Sequence, residues 1–245
     1  MFRGTISGDD FCDDGSVKGQ EDKSFGHLRQ RPKAGRRLRQ SDTMSRSSGS
    51  DLTGSELVNY WESKYPGCPP IGYLLRQKFA DHWFRIHTLP GSKRYAESDK
   101  EKIEILRRHN TMLTSLLGDG KKYVLITTGY SDSAEPVRPC QQMETTKGSG
   151  KHLFTIPMHD LEGDSDPNYW HFFFSEMTWK GQSMDELLNL VADDVVSNVL
   201  FLSVDRHRLY HPYDGGGDIF VNSESHRKRI KQRHGAWLSS HPGRL

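Results

Sequence analysis

The stretch Arg85-Ile-His-Thr-Leu-Pro-Gly-Ser-Lys-Arg-Tyr95 concentrates more chemically able side chains than any other part of the 245-residue chain. Residues 82–89 alternate between two faces, which predicts a strand with Phe84 and Ile86 on one side and Trp83, Arg85 and His87 on the other. Side chains two apart on a strand lie about 6.6 Å apart, so Arg85 and His87 can address one group together. With Ser92, Lys93, Arg94 and Tyr95 in the following loop, they have the chemistry of an anion site for a carboxylate or phosphate. The structural alternative is that Arg85 and His87 pair with acidic residues on neighbouring strands while Lys93 and Arg94 are solvated.

A second polar stretch lies more than a hundred residues on, at Tyr210-His-Pro-Tyr-Asp-Gly-Gly-Gly-Asp218. Before it, Val199 to Val204 is almost wholly apolar and predicts a central strand covered on both faces, joined through Asp205-Arg206-His207 to a second strand over 208–213. Three consecutive glycines then predict a sharp backbone excursion, through positive φ or a close approach to something. Asp214 and Asp218 read as acceptors for the backbone N–H groups of that turn. Together with His207 and His211 they have the composition of a metal site. Positions four apart on a strand are about 13 Å apart, however, so no metal is expected.

Other chemical signatures fail. Gly148-Ser-Gly-Lys151 has Thr145 where a phosphate loop needs its first glycine and His152 where it needs Ser or Thr. There is no G-x-S-x-G and no H-E-x-x-H, and no cofactor is expected. Residues 1–50 hold few large apolar side chains and carry Arg29, Arg31, Lys33, Arg36, Arg37 and Arg39 in close order. Such a segment cannot offset its own ordering entropy, and it reads as a disordered basic tail. The tail has 10 of the chain's 34 Lys and Arg and 7 of its 32 Asp and Glu, leaving 24 and 25 in residues 51–245. A near-neutral body weighs against nucleic acid as the partner, although the tail and the basic terminal helix, with Arg227, Lys228, Arg229, Lys231 and Arg233, could hold phosphates weakly. No apolar run reaches membrane-spanning length, there is no secretory h-region, and Cys12, Cys68 and Cys140 are scattered. These features are read as a cytoplasmic, reducing setting.

The elements that must position the polar stretches are legible in outline. Thr53 or Ser55 starts a helix through Trp61, ended at Tyr65-Pro-Gly-Cys-Pro-Pro70, and residues 71–79 read as a further short helix. Ser98 or Asp99 starts the best helix, with Ile103, Leu106, Asn110, Leu113 and Leu117 on one stripe and Gly118 after it. Strands are expected at 123–128, 153–158 and 169–179, with residues 131–150 as an insertion. A helix capped by Ser183 runs through Leu187, Leu188, Val191 and Val195, and another capped by Ser223 closes the chain. The order of elements predicts one α+β domain over 51–245, helices packed on a mostly antiparallel sheet.

The segments Tyr65-Pro-Gly-Cys-Pro-Pro70, Arg85 to Tyr95 and Tyr210-His-Pro-Tyr-Asp-Gly-Gly-Gly-Asp-Ile219 resemble an uncharacterised bacterial family, a domain of unknown function. Its members carry an R-[FI]-H-[ST]-L-P-x-S-K-R-Y segment and a Y-D-G-G-x-D hairpin, and the similarity covers about residues 55–245. Gly217 departs from the second motif. The resemblance implies a bacterial, cytoplasmic protein and assigns no catalytic residue.

The leading expectation is a non-enzymatic binding module for a partner protein or a small anion, of which an immunity or accessory protein is one form. Arg85, His87, Ser92, Lys93, Arg94 and Tyr95 form one wall of its surface; Tyr210, His211, Tyr213, Asp214 and Asp218 form the other. The rival is a hydrolase acting on a phosphate or glycosyl ester, with His87 or His211 as acid/base and Arg85 as anion clamp.

Overall fold

In the computed structural model, residues 51–137, 150–162 and 168–239 are described. The tail at 1–50, most of the 131–150 insertion and the glycines of the phosphate-loop-like segment except Gly150 lie outside them. The chain is α+β: seven strands form one antiparallel sheet in the order β1-β7-β6-β5-β2-β4-β3. They are β1 (Trp83–His87), β2 (Lys122–Ser131), β3 (Lys151–Pro157), β4 (Tyr169–Thr178), β5 (Leu200–Ser203), β6 (Arg208–Tyr213) and β7 (Gly216–Val221). Around them lie α1 (Gly54–Lys64), α2 (Gly72–Lys78), α3 (Asp99–Leu117), α4 (His159–Glu162), α5 (Asp185–Ala192) and α6 (Glu224–Arg233). Among the described residues, no helix is long and apolar enough to cross a membrane.

Two cores, one on each face, follow from the two-residue period of the strands. Phe84, Ile86, Tyr123, Leu125, Phe201, Tyr210 and Ile219 point to the face covered by α3 and α5. Val124, Ile126, Leu200, Leu202, Leu209 and Phe220 point to the other, under α1 and α2. β5 is fourth of seven and all four of its residues are buried, the consequence of its nearly unbroken apolar run. Each fully buried large side chain of this kind contributes about 1.5–3 kcal/mol.

Local signals fix the helix starts. Thr53 and Glu56 form a reciprocal capping box on α1, and Ser98 accepts from the Glu101 backbone N–H to cap α3. Gly118 ends α3 at φ 85°, a backbone that side-chain-bearing residues avoid. Three expectations are corrected. The buried stripe of α3 runs through Ile105, His109, Met112, Leu113 and Leu116, and Ile103 is 66% exposed. Two neighbouring stripes share Leu113 and Leu117, and α3 packs against β5 and β6 through the one that carries His109 and Met112. Ser183 does not cap α5, whose N-cap position is Met184, and Val195 lies exposed beyond the helix end. The glycine stretch is an excursion only in part: Asp214 and Gly215 make the turn from β6, whereas Gly216 and Gly217 already lie inside β7, between β1 and β6, and neither has positive φ.

What the glycines provide is proximity. A Cβ on Gly216 would stand 2.0 Å from the Ile86 carbonyl oxygen, and one on Gly217 would stand 2.2 Å from the Tyr210 hydroxyl. The Tyr210 ring therefore lies across Gly217 on the core face, where its hydroxyl meets His109 Nδ1 at 2.7 Å.

Candidate functional site

Antiparallel register lines up the polar residues of β1, β7 and β6 in rows on the α2 face. Arg85 stands opposite Asp218, which stands opposite His211. One step along, His87, Gly216 and Tyr213 form the next row. The two polar stretches thus meet because β7 is threaded between their strands. An open cleft of about 680 Å³ lies over these rows, bounded by Ile71, Gly72, Tyr73 and Arg76 of α2 and its approach and by Asp194, Val196, Ser197 and Asn198 before β5. Asn198 fixes that second wall: its side chain accepts from the Gly72 backbone N–H at 2.9 Å and donates to the Pro70 carbonyl at 3.0 Å.

Asp218 is the electrostatic centre. Arg85 donates to both its oxygens, Nε to Oδ1 at 2.8 Å and an Nη to Oδ2 at 3.0 Å, and the Trp83 indole N–H adds a third bond at 2.8 Å. Burial alone would raise the Asp218 carboxyl, but His211 and Arg85 outweigh it and hold it at about 2. The Arg85 guanidinium also sits 4.4 Å from the centre of the Tyr213 ring, an approach that the bare Gly216 leaves open. Arg85 is therefore engaged, as the structural alternative for it required, and does not present a free anion clamp.

A second ion pair closes the rim. Arg94 Nε and the Tyr95 hydroxyl both donate to the buried Asp214 carboxylate, the latter at 2.8 Å. The two aspartates thus serve side chains, where the sequence pointed to the backbone of a turn. Asp194, on the opposite wall, also lines the cleft.

Two imidazoles are left over. His87 Nε2 and His211 Nδ1 are buried atoms of cleft-lining residues with no hydrogen-bond partner among the described residues. His211 Nδ1 is 3.8 Å from Asp218 Oδ2, beyond hydrogen-bond length, and its ring packs so closely on Gly72 that a Cβ there would fall 2.1 Å away. Burial, then the charges of Arg85 and Arg108, push the His87 pKa down, while Asp218 and the Gly215 carbonyl oppose the shift.

Of the sequence-derived candidates, Arg85, His87, Ser92, Arg94, His211, Tyr213, Asp214 and Asp218 line the cleft. Lys93 turns away to Glu97 and Glu101. The Tyr95 hydroxyl bonds Asp214, and the centre of its half-exposed ring lies 5.6 Å from the Arg94 guanidinium. Tyr210 projects to the opposite face of the sheet and is core, because it is one residue out of phase with His211. Missed by the sequence reading were Arg76, Tyr73 and Asn198. Arg76 lies 5.9 Å over the Trp83 ring and has no carboxylate within ion-pair distance among the described residues. Trp83 shares the period-two face of Arg85 and His87, so its part in the site was readable; no spacing rule connects Arg76 to that strand. No group of three or more His, Cys, Asp or Glu among the described residues could hold a metal ion.

Neither a curated protein nor a solved structure matches the chain. A family model does, over residues 71–242, a narrower span than the 55–245 expected from the motifs: it leaves out α1 but takes in every cleft-lining residue from Ile71 to Asp218. The chain belongs to this family, DUF3885, a domain of unknown function.

Proposed function

We propose that the chain is a non-enzymatic binding module whose cleft takes a small organic anion. The cleft has the composition of a small-molecule site, with apolar and aromatic walls from Ile71, Tyr73, Val196, Pro212 and Tyr213 and a few convergent polar groups. Arg76 supplies a cation not already neutralised by a carboxylate among the described residues. The observation that carries the reading is the pair of unpartnered ring nitrogens, His87 Nε2 and His211 Nδ1, beside a carboxylate that already accepts three hydrogen bonds from Arg85 and Trp83. Such imidazoles are placed to meet a ligand, and at 3.8 Å Asp218 Oδ2 stands too far from His211 Nδ1 to hydrogen-bond it and prime it for proton transfer. A partner protein presenting a carboxylate would engage the same groups.

Titration with benzoate and with phenyl phosphate tests this, following the imidazole resonances of His87 and His211. The expected result is saturable binding that shifts both rings and weakens about tenfold in Arg76→Ala, the loss of one charge-assisted contact. No shift at either ring, or the same affinity in Arg76→Ala, refutes it. Phosphate release from phenyl phosphate that disappears in His87→Gln or His211→Gln replaces it with the hydrolase reading.

A further inference from the structure

A second polar groove, outside the cleft and its proposed ligand, lies where the end of α3, the start of β6 and α6 meet. Its volume is about 290 Å³, and Ser115, Arg208, His226, Arg229, Ile230 and Arg233 line it. His226, Arg229 and Arg233 recur at helical spacing, so α6 presents them on one side, with Ile230 buried beneath them. Arg208 enters from β6 and is held in place: one Nη donates to the Ser115 carbonyl at 3.1 Å and to the Leu116 carbonyl at 3.3 Å, in the last turn of α3. Its Nε is buried and has no hydrogen-bond partner among the described residues. Arg206 stands nearby, folded over Gly118.

No carboxylate among the described residues is within ion-pair distance of Arg206, Arg208, Arg229 or Arg233. The cations consequently act on one another. Burial, then Arg206 and Arg229, pull the Arg208 pKa down, and burial followed by Arg208, Arg229, Arg206 and Arg233 does the same for His226. Like charges gathered around a dent, with one guanidinium fixed and still holding an unused donor, are arranged to be neutralised by something external.

We propose that this groove is a binding site for the phosphate group of a small ligand, a phosphomonoester or pyrophosphate-like compound, held by Arg208, Arg229 and Arg233. A polynucleotide fits the observations less well. The cations converge on one pocket instead of tracking a line, and residues 51–245 carry 24 basic against 25 acidic residues, too even a balance to attract a polyanion from a distance.

Calorimetric titration of the full chain with inorganic pyrophosphate, and separately with a single-stranded oligonucleotide of about 20 nucleotides, tests the assignment. Arg229 and Arg233 are exposed, so the double variant Arg229→Ala/Arg233→Ala is compatible with a folded chain, which its thermal melt checks. The expected result is pyrophosphate binding that falls at least about tenfold in the double variant. No pyrophosphate binding, or binding indifferent to the double variant, overturns the proposal. Oligonucleotide binding that needs both arginines, without pyrophosphate binding, also overturns it and makes the groove a nucleic-acid contact. Pyrophosphate binding that is lost in Arg76→Ala and kept in the double variant belongs to the cleft and overturns the groove assignment, so the two sites are told apart.

Discussion

The cleft and the α6 groove are built from the same side chains under opposite rules. In the cleft, Arg85 and Arg94 each have a carboxylate, Asp218 and Asp214, and what remains unsatisfied among the described residues is the ring nitrogens His87 Nε2 and His211 Nδ1 and the cation Arg76 on α2. In the groove, Arg208, Arg229 and Arg233 face one another without a carboxylate among the described residues. Depth explains the difference. The cleft floor lies within a sheet buried on both faces, where an uncompensated charge costs several kcal/mol. The groove lies at the surface, where solvent and salt screen repulsion and a binding site can store it cheaply. The cleft floor has spent its charges on structure; the groove has kept them available.

The strongest way to break the comparison is to give the cleft the groove's imbalance. Asp218→Ala leaves Arg85, 12% exposed, as a buried cation without its partner, and is expected to cost about 3–5 kcal/mol by chemical denaturation. A result under about 1 kcal/mol would falsify the claim that this pair anchors the floor.

Beneath that floor, His109 is fully buried against Tyr210, and burial drives its pKa from 6.5 to about 3. In the folded chain it is neutral, whereas the unfolded chain takes up a proton below pH 6.5. Stability therefore declines as pH falls from about 6.5 to about 3, with a slope of up to about 1.4 kcal/mol per pH unit from this group. His109→Gln is expected to flatten that part of the profile, and an unchanged slope would show that His109 is not the group responsible.

Gly217→Ala pushes a methyl into the Tyr210 ring on the same buried face, at an expected cost of about 1–3 kcal/mol. A neutral outcome in thermal melts would mean that the tyrosine shifts freely.

Asp214→Asn probes the same ion chemistry at the rim. Arg94 is 63% exposed, so solvent screening limits the effect to about 1 kcal/mol or less, well below that of Asp218→Ala. Equal losses from the two aspartates would abolish the distinction between floor and rim.

Smallest of all, Arg229→Gln relieves repulsion in the groove and is expected to leave stability within about 0.5 kcal/mol of the parent, on the stabilising side. A clear destabilisation in urea melts would show that Arg229 is structural.

Much of the fold was readable because its signals are local. The caps at Thr53, Ser98 and Ser223, the alternation of β1 and the apolar run of β5 each depend on residues within one turn or one strand. β7 was hidden because glycine has no side chain to carry a pattern: Gly216-Gly217 reads as a turn until Ile86 and Tyr210 are seen occupying the space a Cβ would need. The same gap concealed the roles of Asp214 and Asp218, whose partners are more than a hundred residues away in sequence. Tyr210 reads as part of the site because it adjoins His211 in sequence, but neighbours on a strand face opposite ways.

The amino-acid order alone determined an antiparallel sheet with helices upon it, the central place of the Leu200–Ser203 strand, and the two polar stretches in which chemistry was to be sought. Those follow from periodicity, capping and solvation, which act over a few residues. Only the tertiary structure decided that Arg85 is bound to Asp218, that His87 and His211 are the groups left open, and that Arg76 and the α6 arginines stand without carboxylate partners among the described residues. The pairing of a buried charge is settled by which strands lie side by side, a property of the whole sheet that no single segment encodes.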